Sequence, residues 1–138
     1  MSRTASIEIG GRSIEVSRPD KVLFPDAGIT KADVAAYYAA VAETMLLHLR
    51  DRPLTFQRYP DGIEAKGFYQ KDVPRHYPDW IERVEVEKEG GSLTHVIVRD
   101  EPAALVYLAD QACITPHAWL SRTAALDRPD RIVIDLDP

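Results

Sequence analysis

Two carboxylates one residue apart lie near the end of the chain, in the run Arg131-Ile132-Val133-Ile134-Asp135-Leu136-Asp137 that precedes Pro138. In an extended segment alternate side chains share a face, so Asp135 and Asp137 fall together with Val133, opposite Ile132, Ile134 and Leu136. A rise of about 3.3 Å per residue separates the two acids by about 6.6 Å along the backbone, close enough to converge on one or two hard cations. In two-metal enzymes such ions lie about 3.5 to 4 Å apart and hold the attacking and leaving oxygens of a phosphoryl displacement. The apolar run predicts a terminal strand with the acid pair on one face. Asp-x-Asp is a short pattern, and by itself a solvated strand end with idle carboxylates is an equal reading.

Other polar groups that could do chemistry are Lys21, Lys31, Arg58, Lys71 and His117. Lys31 falls in the first turn of a predicted helix, where the helix dipole disfavours a cation. An anion gripped there by free backbone N–H groups and by Lys31 would account for the placement, and plain solvent exposure is the alternative. His117 stands between Pro116 and Trp119, open to readings as a packed histidine, a metal ligand or a phosphate donor.

Composition narrows the classes. A chain of 138 residues, 45% hydrophobic and 28% charged, is suited to one globular domain with a real core. No apolar run reaches the roughly 18 residues of a membrane span, and Met1-Ser2-Arg3-Thr4 is not followed by a signal-peptide core. A cytoplasmic location is the expectation. Cys113, the single cysteine, lies between Ala112 and Ile114 and is expected to be a buried small hydrophobe. The net charge of -5 is uneven: residues 1–75 hold 11 Lys+Arg against 10 Asp+Glu, and residues 76–138 hold 6 against 12. A polyphosphate partner would meet the N-terminal part, with cations screening the acids of the C-terminal part.

The elements that must position these groups follow from periodicity. Ser6–Ile9 and Arg12–Val16 alternate around Gly10-Gly11 and predict a hairpin. Ser17-Arg18-Pro19-Asp20 reads as the cap of a short helix over residues 21–24, closed by Pro25. Thr30 with Asp33 forms a capping-box pattern, and Val34, Tyr37, Tyr38, Val41, Met45 and Leu49 outline the apolar face of a long helix, with both tyrosines expected in the core. Residues 54–59 predict a strand ended by Pro60-Asp61-Gly62, and residues 67–71 a shorter extended piece. Residues 80–86 and 93–98 predict a second hairpin through Gly90-Gly91. Pro102 opens a helix over residues 103–111 that buries Leu105, Leu108 and Ala109, residues 113–122 read as irregular, and the terminal strand follows. The fold class is α+β, mainly antiparallel sheet with two principal helices.

The order of the separated motifs is more specific than any one of them. Asp20-Lys21-Val22-Leu23-Phe24-Pro25, Thr30-Lys31 with Tyr37-Tyr38, Arg52-Pro53-Leu54-Thr55-Phe56-Gln57-Arg58-Tyr59-Pro60-Asp61-Gly62, Phe68-Tyr69-Gln70-Lys71 and Pro78-Asp79-Trp80 come in sequence. His117-Ala118-Trp119-Leu120-Ser121-Arg122 and the run from Arg128 to Pro138 complete the series. Together they resemble the polymerase domain of bacterial DNA ligase D, a primase-like polymerase of the archaeo-eukaryotic type. The resemblance covers nearly the whole chain and makes residues 1–138 the N-terminal portion of such a domain, ending just after the first metal-binding Asp-x-Asp.

The resemblance implies DNA repair by non-homologous end joining, with nucleotides added to broken ends using Mn or Mg. By position, Asp135 and Asp137 match the family's first two metal ligands and catalytic carboxylates. His117 and Arg58 match nucleotide-binding residues, Lys21 and Lys31 the pair that grips the 5′-phosphate at a gap or break, and Phe68 and Tyr69 the aromatic pair near the template strand. Implied partners are DNA ends with a 5′-phosphate, a nucleoside triphosphate, the end-binding protein Ku, a DNA ligase or a complementing polymerase half. Two departures stand out. Gln57 occupies a place where some relatives carry Lys beside the strand Arg. The family's later Ser-Gly-x-x-Gly-x-His segment and third metal-binding Asp are absent from this sequence, so the expectation is a chain that binds metal weakly and polymerises little alone. The alternative is a non-catalytic DNA-end module that recognises a 5′-phosphate.

Overall fold

A computed structural model describes residues 4–138; Met1–Arg3, with most of the N-terminal stretch read above for targeting, lie outside it. The chain opens with the antiparallel hairpin of β1 (Thr4–Ile9) and β2 (Arg12–Ser17), in which Ile9 faces Arg12 across Gly10-Gly11. Both turn glycines have positive φ, +57° and +77°, the backbone that a two-residue hairpin turn demands and that side-chain-bearing residues resist. Two short strands follow, β3 (Val22–Phe24) and β4 (Ile29–Thr30), paired antiparallel.

The first helix, α1 (Lys31–Leu49), starts where the capping box places it. Thr30 accepts a hydrogen bond from the Asp33 N–H, and the Asp33 carboxylate accepts one from the Thr30 N–H. β5 (Leu54–Arg58) is the hub of a five-stranded antiparallel sheet. One edge of β5 receives β6 (Phe68–Gln70) and, at Leu54, the hairpin of β7 (Arg83–Lys88) and β8 (Gly91–Val96). After α2 (Pro102–Asp110), β9 (Cys113–Ala118) pairs along the whole of β5. The 3₁₀ turn η1 (Thr123–Ala125) precedes the final segment. This is the expected α+β architecture.

The core lies where α1 and α2 pack on one another and α2 meets the first hairpin. Val16, Leu23, Ala35, Leu54, Ile81, Leu105, Val106 and Ala109 are fully buried there. Tyr38 ties α1 to β9 through hydrogen bonds from its hydroxyl to the Cys113 and Ile114 carbonyls, at 2.6 and 3.1 Å. Cys113 is a buried small hydrophobe, as expected.

Five expectations are corrected. Residues 22–24 form β3 and no helix, because the Lys31 N–H donates to the Lys21 carbonyl at 2.8 Å and the Ile63 N–H to the Leu23 carbonyl at 2.9 Å, partners that exist only in the fold. Tyr37 lies outside the core, 63% exposed, because the buried seam of α1 runs through Val34, Ala35, Tyr38, Ala42, Leu46 and Leu49. The small alanines let the helices approach, a feature that a search for large apolar residues overlooks. The second hairpin turns at Glu89-Gly90, with Lys88 facing Gly91. Residues 113–118, read as irregular, are β9; Pro116 is tolerated there because β9 pairs through β5 alone. The terminal strand is not formed: residues 131–138 belong to no strand or helix, since no strand among the described residues pairs with them. Ile132 and Ile134 are 86% and 77% exposed.

Candidate nucleic-acid interface

Lys31 is the residue around which the site is built. It is only 6% exposed, with its Nζ 3.2 Å from Ser17 Oγ and 3.5 Å from Asp110 Oδ1. Burial holds its pKa below the usual lysine range; Asp110 opposes that effect, and the nearby cations Arg18 and Lys21 reinforce it. The predicted anion grip by backbone N–H groups at the start of α1 is corrected. The Lys31, Ala32 and Asp33 N–H groups donate to the Lys21 carbonyl, the Pro19 carbonyl and the Thr30 hydroxyl, so none of these three is free for a ligand. Any anion here is held by side chains.

Those side chains converge. A cavity of about 150 Å³ is lined by Ser17, Arg18, Lys21, Lys31, Arg58 and Asp110 among others. The hairpin supplies Ser17, the connection to β3 supplies Arg18 and Lys21, α1 supplies Lys31 and the end of β5 supplies Arg58. Lys21 is tethered by Asp61 at 3.1 Å. Arg58 is held by its Nε donating to the Gln111 carbonyl at 2.7 Å and its Nη1 donating to Gln70 Oε1 at 2.8 Å. Four cations drawn from three segments of the chain thus line one compact concavity whose charge suits an anion. Arg18, with φ of +46°, was not among the residues singled out in the sequence. Its signal was only its place beside Pro19 in the run to Lys21.

A second cluster lies on the sheet. His117 pairs with Thr55 and Tyr69 with Gln57 on opposite edges of β5, so all four share one face. The Tyr69 and His117 rings stand 5.9 Å apart. Phe68, one residue before Tyr69, turns to the other face, where Arg58 lies 5.2 Å from its ring centroid. The aromatic pair is therefore split, each ring about half exposed or more and each beside a polar partner. Alternation along β5 likewise turns Arg58 away from His117 and toward the two lysines. Gly67 permits the turn into β6: a Cβ there would lie 2.5 Å from the Tyr59 ring and 2.7 Å from the Arg58 carbonyl oxygen.

Asp135 and Asp137 belong neither to the cavity lining nor to the ring contact just described. Both are exposed on the unpaired final segment. Its last anchors are an Arg52–Asp130 ion pair at 2.8 Å and a hydrogen bond from Arg131 Nη1 to the His48 carbonyl at 3.0 Å. Among the described residues no group of three or more His, Cys, Asp or Glu side chains is placed to hold a metal ion. Also among them, no helix is long and apolar enough to cross a membrane.

The family model described as LigD, primase-polymerase domain, matches residues 30–138. The chain belongs to this primase-polymerase family. Its similarity extends to the multifunctional non-homologous end joining protein LigD of Mycolicibacterium smegmatis, 35% identical over 127 residues. That match covers 91% of this chain and 16% of the relative. The bifunctional non-homologous end joining protein LigD of Bacillus subtilis is 34% identical over 119 residues, covering 86% of this chain and 18% of the relative. The solved polymerase domain of Mycobacterium tuberculosis ligase D, in complex with DNA, superposes with a TM-score of 0.76 at 37% identity. That comparison covers 79% of this chain and 38% of the other. The chain thus spans roughly a sixth of these LigD proteins and well under half of the solved primase-polymerase domain.

Proposed function

We propose that this chain is the DNA-end-reading part of a primase-like polymerase of non-homologous end joining, and that it recognises a terminal 5′-phosphate. The observation that carries the reading is the convergence of Lys21, Lys31, Arg18 and Arg58 on one small cavity. Lys21 and Lys31 are the pair that the family resemblance matches to a phosphate grip. A phosphomonoester carries up to two negative charges and three acceptor oxygens, more than an internal phosphodiester, so a cluster of four cations favours the terminal group. That one LigD polymerase domain is described in complex with DNA supports the same class of partner here. On the sheet, Tyr69 and His117 offer an exposed ring surface suited to stacking on a base or contacting a nucleotide.

Metal-dependent nucleotidyl transfer is the activity of the complete domain in this reading, with Mn or Mg as the cofactor and a nucleoside triphosphate as the substrate. Asp135 and Asp137 would be two of its ligands. The residues present do not by themselves fit that role: two carboxylates on an exposed segment, without a third acid or imidazole beside them, are too few to enclose a hard cation. Ku, a DNA ligase or a complementing polymerase half are partners compatible with this reading.

The test is equilibrium binding to a gapped duplex that carries either a 5′-phosphate or a 5′-hydroxyl at the gap. The expected outcome is about tenfold tighter binding to the phosphorylated form, a difference of about 1.4 kcal/mol. Equal affinities would remove the phosphate reading. In a primer-extension assay with Mn the chain alone is expected to add few nucleotides or none, and robust extension would overturn the division of labour proposed here.

A further inference from the structure

The basic cavity contains a carboxylate of its own. Asp110, the last residue of α2, has a side chain only 11% exposed. Its Oδ1 accepts hydrogen bonds from the Ser17 N–H at 2.8 Å and the Ser17 hydroxyl at 3.1 Å, and lies 3.5 Å from Lys31 Nζ. Lys31 donates in turn to Ser17 Oγ at 3.2 Å, which closes a three-residue ring. A fixed negative charge beside an anion-binding cavity weakens binding by repulsion unless it also preserves something that binding needs.

The surroundings of Lys31 indicate what that is. The charged groups facing it are Arg18 and Lys21 from the connection after β2 and Asp110 from α2; Arg58 from β5 lines the same cavity. Burial and two cationic neighbours all favour the neutral amine, and Asp110 alone among these groups favours the ammonium. The ring through Ser17 also limits the rotamers open to the long Lys31 side chain, so less freedom is lost when a ligand arrives.

We propose that Asp110 is a positioning residue for phosphate capture: it keeps Lys31 charged and aimed into the cavity, and so widens the pH range over which a 5′-phosphate is read. The role rests on the phosphate reading above. It predicts a pH effect with a definite sign. Without the carboxylate, Lys31 loses its proton at lower pH, while the phosphomonoester is already fully charged above about pH 7. The gain in affinity from the phosphate is then lost from the alkaline side.

The full chain and its Asp110→Asn and Asp110→Glu variants are to be compared by fluorescence anisotropy. The readout is the affinity ratio for gapped duplexes with 5′-phosphate and 5′-hydroxyl, followed from about pH 6.5 to 9.5 at fixed salt. Asp110→Asn keeps an acceptor for Ser17 and removes the charge. Its ratio is expected to fall about tenfold more steeply across that range than the unmodified chain's, and Asp110→Glu to restore the original profile. Lys31→Met should leave a small ratio that no longer changes with pH. Superimposable profiles for the unmodified chain and Asp110→Asn would overturn the role of Asp110 while leaving phosphate recognition intact. So would a uniform loss at every pH, which marks a scaffold effect. A ratio of one for the unmodified chain throughout would remove the phosphate reading itself, and this proposal with it. A measurement that needs no substitution at position 110 is the ¹⁵N shift of the Lys31 side chain in the unmodified protein. The ammonium is expected to persist throughout the pH range in which the 5′-phosphate is preferred, and a neutral amine within that range would overturn the proposal.

Discussion

Lys31 and Asp135 stand at opposite ends of the range of order in this chain. The lysine is buried, its backbone N–H and its ammonium both paired, within a cavity lined by β2, the connection to β3, α1, β5 and α2. The aspartate is exposed on a segment with no ladder partner. Both were singled out for chemistry on residue type and spacing, yet only one belongs to an arrangement that the chain's own packing maintains. A charge brought into a low-dielectric place must have its partners built around it, so its geometry is set by the fold. A charge left in water needs no partners and receives no fixed geometry.

The sharpest way to break this contrast is to make the same truncation in both regions. Leu54→Ala, at a fully buried position on β5, is expected to cost about 2 to 5 kcal/mol in urea denaturation. Ile134→Ala on the final segment should change stability by no more than about 0.5 kcal/mol. A comparable loss at both sites would mean that the final segment is packed after all.

Alkali should act on the packed region next. Burial pushes the Cys113 thiol up to about 12 and raises the Tyr38 hydroxyl as well. In the unfolded chain the thiol loses its proton near pH 9, so between about pH 9 and 12 the unfolded state binds fewer protons than the folded one. Stability therefore falls as pH rises through that window, by about 1.4 kcal/mol per unit for each such group. Denaturation midpoints at pH 8, 9 and 10 measure it, and a flat profile would contradict the burial of Cys113.

Within the cavity, Lys31→Met should reduce the preference for a 5′-phosphate about tenfold and Lys21→Met less, about threefold, because Lys21 is more exposed and shared with Asp61. A reversed order in the same gapped-duplex assay would shift the centre of the site to Lys21. The smallest effect belongs to the acid pair. Asp135→Asn combined with Asp137→Asn should leave both the melting temperature and the phosphate preference of this chain unchanged. A measurable drop in either would show that the final segment docks on the rest of the molecule.

Local signals in the sequence were reliable wherever a few neighbouring residues settle the conformation. Gly10-Gly11 specifies its hairpin because it supplies the two positive φ values, and Thr30 with Asp33 specifies the start of α1 because the two side chains cap each other's backbone. Reading failed where the deciding partner is distant. β3 exists through bonds from Lys31 and Ile63, and β9 exists because β5 has a free edge. Tyr37 is outside because the buried side of α1 passes through Val34, Ala35, Tyr38 and Ala42 and leaves Tyr37 beside it. In the candidate site, Lys21, Lys31 and Arg58 were visible as residues, but Asp110 and Arg18 carried no local pattern that would have joined them to the lysines.

The sequence by itself determined the family, the two helices, the hairpin at Gly10-Gly11 and the identity of the charged groups available for chemistry, because each depends on residue type and short-range spacing. Tertiary structure alone decided that Lys31 meets Asp110 and Ser17, that Tyr69 meets His117 while Phe68 meets Arg58, and that Asp135 and Asp137 remain in solvent. Those outcomes turn on which backbone donors and acceptors find partners and on which charges lose water, quantities that belong to the folded chain as a whole.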